Sequence, residues 1–129
     1  SVVVPARVAL LTACLGEGPE LIEAVAEGGY EGLAVAATGA GHLHHSWVTP
    51  LEGLSAVMPV VLATRVSRGP VLSETYGFAG SESDLLRRGL VSAGFLGASK
   101  ARIALSMALG AGVEIEGVRQ LFEQGLEEP

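Results

Sequence analysis

A single cysteine in 129 residues, Cys14, excludes both a disulfide framework and a paired-thiol metal site. It sits in the apolar run "RVALLTACL" and reads as a small buried hydrophobe. Basic residues are scarce too: 8 Lys and Arg stand against 14 Asp and Glu, the net charge is −6, and the eight cations are scattered. Neutralising a phosphate backbone takes clustered cations, so no nucleic-acid partner is expected. Long hydrophobic runs are also missing. Gly, Pro or a charge breaks every apolar stretch short of the ~18 residues a membrane-spanning helix needs, so no membrane partner is expected. The opening "SVVVPARVALLTACLG" lacks a basic n-region and is interrupted by Pro5 and Arg7, so it reads as a lead-in to a strand rather than a signal peptide. The cytoplasm is the default compartment.

What the chain does have is apolar content. With 49% hydrophobic and 17% charged residues it can bury a sizeable core, and residues 1–129 fit one domain. Apolar runs of strand length alternate with segments of helical period. Arg7 to Leu15 is almost continuously apolar, which predicts a strand in a parallel sheet covered on both faces. "GPELIEAVAEGG" predicts a helix with Pro19 in its first turn, Leu21, Ile22, Val25 and Ala26 on one face, and Gly28 and Gly29 as its stop. Leu33 to Ala37 is a second strand. In "TPLE", Thr49 can cap, Pro50 can take the first position and Glu52 can close a capping box, for a helix running to about Val57. "PVVLATRV" is a third strand. Ser67 to Ser83 is polar, glycine-bearing and too long for an ordinary connection, so it is either mobile or functional. "SDLLRRG" is a helical turn capped by Ser83 or Asp84, and "LVSAG" is a short fourth strand. "SKARIALSMAL" is helical from about Lys100. "EIEGVRQLFEQ" is helical again, with Ile115, Val118 and Phe122 on one face.

Strands alternating with helices predict an α/β fold: a small parallel Rossmann-like or flavodoxin-like sheet of about four strands flanked by helices. Ligands of such sheets bind outside the carboxyl ends of the strands, where "TGAGHLHH" and "TRVSRG" both fall. The first of these stretches holds all three histidines, His42, His44 and His45. As a phosphate loop it lacks the third glycine of G-x-G-x-x-G and any Walker lysine. As a metal site it lacks a partner Cys or an H-E-x-x-H helix, so no metal is expected. His44 and His45 read as solvated residues near a helix start. No G-x-S-x-G elbow is present and nothing places a base beside a given hydroxyl, so the residues alone leave an α/β domain of open function.

"GGYEGLAVAATGAGHL", "PVVLATRVSRGPV" and "RRGLVSAGFLGASKARIALSMAL", in that order, resemble the carboxyl-terminal domain of the bacterial L-asparaginase family. The most specific part is G-x-x-x-A-G-x-L-x-x-x-K-A-R-I, from Gly89 to Ile103. The resemblance implies part of an amidohydrolase that converts L-asparagine to L-aspartate and ammonia. The family's nucleophilic threonines sit in an amino-terminal domain marked by "GGTIA" and "HGTD", neither of which occurs here, so no catalytic residue is assigned and the chain is expected to be inactive alone. Partners implied are an amino-acid amide substrate, the amino-terminal catalytic domain, and a second subunit in a dimer or tetramer; no cofactor is implied. The smaller domain of that family reaches across to a neighbouring subunit's site with a turn residue and a glutamate near the substrate's α-amino group. Carried over, these fall on His42 and, counting back from Gly89, on Glu82. A carboxylate suits an ammonium group through a charge-assisted hydrogen bond. The turn has Ala40 where many members carry Asn, and His42 where the best-known members do. An imidazole donates, accepts and can charge near neutral pH, which bears on the choice between asparagine and glutamine. The related alternatives are a subunit of a tRNA-dependent amidotransferase and a non-catalytic oligomerisation or ligand-binding module.

Overall fold

The computed structural model describes residues 2–13, 19–37, 43–64 and 81–125. Four strands, β1 (Val8–Thr12), β2 (Gly32–Ala37), β3 (Val60–Thr64) and β4 (Val91–Ser92), form one parallel sheet in the order β1-β2-β3-β4. The helices are α1 (Glu20–Glu27), α2 (Val48–Ser55), α3 (Glu82–Arg87), α4 (Ala98–Gly110) and α5 (Ile115–Gln120), the last continuing into a π turn, Leu121–Gly125. A short 3-10 turn, His45–Trp47, leads into α2. The α/β class and the parallel sheet of four strands are as the sequence predicts.

Strand order following chain order has a consequence for the layers. Right-handed crossovers that all step in one direction land on one face of the sheet. Accordingly α1, α2 and α3 send Ile22, Val25, Leu51, Leu54 and Leu85 into one core cluster with Leu33, Val35, Val60 and Leu62. The other face is closed by the helices that follow the last strand, through Ala101 and Leu105 of α4, Val118 of α5 and Phe122, packed on Val61, Ala63 and Val91. The central strand β2 is therefore buried at every position.

Strand β1 departs from the expectation of cover on both faces. Val8 is buried, but Leu10 is 38% exposed and Thr12 is exposed, because β1 ends the sheet among the described residues and its only strand neighbour is β2. On α1 the predicted apolar face is narrower than the sequence suggests: Ile22 and Val25 are buried, whereas Leu21 and Ala26 are exposed. Pro19 precedes the helix as its N-cap rather than entering it. Helix α4 starts at Ala98, two residues ahead of the predicted Lys100, after Gly97. On α5 and beyond, Val118 and Phe122 are buried and Ile115 is partly so.

The lead-in to β1 is tied down on α4. Ala6 N–H donates to the Ser106 carbonyl at 3.0 Å, and the Ser106 hydroxyl donates back to the Ala6 carbonyl at 2.5 Å. At the end of the same helix a Cβ built on Gly110 would overlap the Val4 carbonyl oxygen and lie 2.9 Å from its carbon. Ala is ordinarily the better helix residue, but here backbone occupies its space. Gly110→Ala should therefore lower stability by about 1–3 kcal/mol in a thermal or urea melt. A gain in stability would show that Val4 is not held there.

Candidate functional site

In a parallel sheet each crossover helix starts at the carboxyl edge of the strand before it. The chain leaves β2 at Ala37 and β3 at Thr64 at one edge of the sheet, and from there it leads to the turn at His45 and to α3 at Glu82. This is the edge the sequence points to. His42 and the rest of "TGAGH", like Arg65 and the long polar segment up to residue 80, lie outside the described residues.

The histidines that are described have a local task. His44 Nδ1 accepts the Ser46 N–H at 3.2 Å and lies 2.9 Å from the Ser46 hydroxyl, so His44 caps the 3-10 turn that delivers Trp47 to the core. Trp47 is 2% exposed. The predicted capping box of Thr49 and Glu52 does not form, since the helical path has begun four residues earlier and Thr49 and Pro50 are already inside α2. Glu52 is engaged elsewhere: Arg88 Nη1 donates to its Oε1 at 2.7 Å, and Arg88 Nε donates to Asp84 Oδ2 at 3.0 Å. These two acceptors hold the Arg88 guanidinium charged, raising its pKa above the ordinary value. That cluster staples α2 to α3. The rings of His44 and His45 are 4.3 Å apart and tilted by 32°. Among the described residues no group of three His, Cys, Asp or Glu is placed to hold a metal.

Helix α3 is capped by Ser81, not by Ser83 or Asp84. The Ser81 hydroxyl, fully buried, accepts the Asp84 N–H at 3.2 Å. Such a cap contributes about 1 kcal/mol. Its consequence is positional, because it makes Glu82 the first residue of the helix. The Glu82 side chain is 2% exposed, and neither Oε1 nor Oε2 has a hydrogen-bond partner among the described residues. Burial pushes its carboxyl up to about pH 7 from an ordinary 4.5. Asp84, two positions on, is by contrast satisfied by Arg88 and lies 3.7 Å from Arg87. A buried carboxyl group without a partner is costly, and such groups gather where a ligand or reaction uses them.

The spacing S-E-S-D carries a signal that the choice of Ser83 or Asp84 as cap overlooks: of the two serines, Ser81 stands three residues before an acid, the spacing of a capping box. His44 gives less to find, since imidazole is not among the usual cap groups.

Residues 7–122 match the glutaminase/asparaginase C-terminal domain model. The chain is 40% identical over 96 residues to a probable L-asparaginase of Deinococcus radiodurans, covering 74% of this chain and 29% of that protein. It is 30% identical over 121 residues to a glutamyl-tRNA(Gln) amidotransferase subunit of Aeropyrum pernix, covering 93% of this chain and 28% of that protein. Among solved structures it superposes on a probable cytoplasmic L-asparaginase from Campylobacter jejuni with a TM-score of 0.76 and 28% identity, over 94% of this chain and 35% of that one. The chain thus spans under a third of the length of the curated relatives it matches. No helix among the described residues is long and apolar enough to cross a membrane. The matched span, residues 7–122, is most of the chain, and the chain belongs to the glutaminase/asparaginase C-terminal domain family.

Proposed function

We propose that residues 1–129 form one domain, the carboxyl-terminal part of a cytoplasmic L-asparaginase that hydrolyses L-asparagine to L-aspartate and ammonia, and that this domain completes the active site of a neighbouring subunit. The observation that carries the reading is Glu82, buried at the start of α3 and without a hydrogen-bond partner among the described residues. A substrate ammonium is the cation such a group is suited to receive, and the pair holds the substrate by its α-carbon while the side-chain amide meets a nucleophile supplied by the amino-terminal domain. His42 has the second contact in this proposal, which rests on the resemblance of "GAGHL" to the family's turn. The similarity to the Deinococcus L-asparaginase supports the choice of reaction.

The second reading is a tRNA-dependent amidotransferase subunit, favoured by the match to the Aeropyrum protein across 93% of this chain. Both are tested by joining this domain to an amino-terminal domain of the family and measuring ammonia. The expected result is release from free asparagine, and none from the 129-residue chain by itself. Release that occurs only with a charged tRNA and a partner subunit selects the amidotransferase, and no release from asparagine or glutamine under either condition sinks the amidohydrolase reading.

A further inference from the structure

The sheet has an end that the proposed reaction does not use. In a parallel pair alternate residues of a strand bond to the neighbour. Glu31 N–H donates to the Arg7 carbonyl at 2.8 Å and Ala13 N–H donates to the Ala36 carbonyl at 2.9 Å, so the odd-numbered residues of β1 face β2. The N–H and C=O groups of Val8, Leu10 and Thr12 therefore point the other way, along the side that no strand among the described residues occupies.

Exposed strand edges are ordinarily blunted by Lys, Pro, a bulge or a very short strand. Strand β1, "VALLT", has five residues, no charge and no proline, and its register with β2 runs without interruption. A groove of about 600 Å³ lies beside it. Leu10 and Leu21, 38% and 40% exposed, and Ala24 and Tyr30 are among its apolar walls. The charged residues lining the groove are Arg7 and Arg102, with no carboxylate among them, on a chain of net charge −6. Arg7 is fixed in place: its Nη1 donates to the Gly28 carbonyl at 2.9 Å and its guanidinium lies 4.4 Å from the Tyr30 ring centre. Arg102 comes from α4, on the opposite face of the sheet from α1, so the groove wraps the strand edge from both sides.

We propose that the open edge of β1 docks an extended acidic segment of another polypeptide, which joins the sheet as a further strand and pairs its carboxylates with Arg7 and Arg102. Main-chain bonds to Val8, Leu10 and Thr12 supply affinity, and the apolar walls and the two arginines supply selection. A second copy of this chain fits less well. Two-fold pairing of β1 with itself would bring together two grooves whose charged lining residues are arginines.

The test uses the 129-residue chain and a labelled peptide of alternating Val and Thr between two Glu, beside the same peptide with Lys at both ends. The acidic peptide should bind at least tenfold tighter. It should slow amide exchange at Val8, Leu10 and Thr12 while leaving Ala9 and Leu11, already bonded to β2, unchanged. Leu10→Lys should weaken binding at least tenfold, and Arg102→Glu, which leaves Arg7 facing an introduced carboxylate, should abolish the preference between the peptides, with circular dichroism confirming that each variant is folded. Arg102 is partly exposed on α4, away from strand β1 itself, so its variant decides the matter if Leu10→Lys does not fold. Equal binding of the two peptides, binding of neither, or binding that both folded variants leave intact overturns the proposal. So does self-association that protects the same three amides without peptide, which assigns the edge to a second copy.

Discussion

Glu82→Gln, made in the two-domain enzyme, should reduce kcat/KM for asparagine by roughly 10²-fold at pH 8, chiefly through KM. Truncating one partner of a buried charged pair costs about 2–5 kcal/mol, and each 1.4 kcal/mol is a factor of ten. An amide in place of the carboxylate keeps shape and one acceptor but loses the charge on which the proposed contact with the substrate ammonium rests. Because the ammonium contact is present in both ground state and transition state, the loss falls mainly on KM. The difference between the two proteins should shrink as pH falls from 7 toward 5, since a carboxyl group raised to about 7 is itself neutral over that range. His42→Ala belongs in the same experiment, as the test of the turn contact. Steady-state assays across pH 5–8 check all three expectations. Kinetic constants unmoved in both variants would take Glu82 and His42 out of the site.

How much of this is legible without coordinates differs by element. The sheet is legible because β2 and β3 are runs of Val, Leu and Ala with no helical stripe, and their burial leaves no other reading. The edge status of β1 is not, because an apolar run looks the same whether one strand or two lie beside it; only the pairing shows that β2 is its one strand neighbour among the described residues. Helix starts fare worst. Thr49 and Ser83 are good cap residues by type, yet the chain turns earlier at His44 and Ser81, where tertiary packing of Trp47 and of Leu85 sets the entry. The shift at Ser81 matters most for function. Counting residues from Gly89 reaches Glu82 by number, but that it opens the helix, is buried and has no hydrogen-bond partner among the described residues is read only from the structure.

That same unpartnered carboxyl group should make the stability of the 129-residue chain fall with rising pH, and Glu82→Gln should remove the fall. The folded-state pKa of about 7 lies above the ordinary 4.5, so burial favours the protonated form. Below pH 4.5 the side chain is protonated in both folded and unfolded chains and costs nothing extra. Between 4.5 and 7 the folded chain retains a proton that the unfolded chain has released, so stability declines as pH rises through this window. Above 7 both forms are ionised and the full penalty stands, at most about 3 kcal/mol at ~1.4 kcal/mol per pKa unit. Gln does not titrate. The variant should therefore match the parent near pH 4 and exceed it by up to ~3 kcal/mol at pH 8, read from urea melts at the two pH values. A parallel pH dependence in parent and variant would mean that the buried carboxyl group already has its counter-charge. In that case the site would not be waiting for a substrate ammonium, and the pairing proposed for catalysis would lose its physical basis. With the penalty present, the chain keeps a destabilising group at the start of α3, as expected if Glu82 serves the proposed substrate contact at the expense of stability.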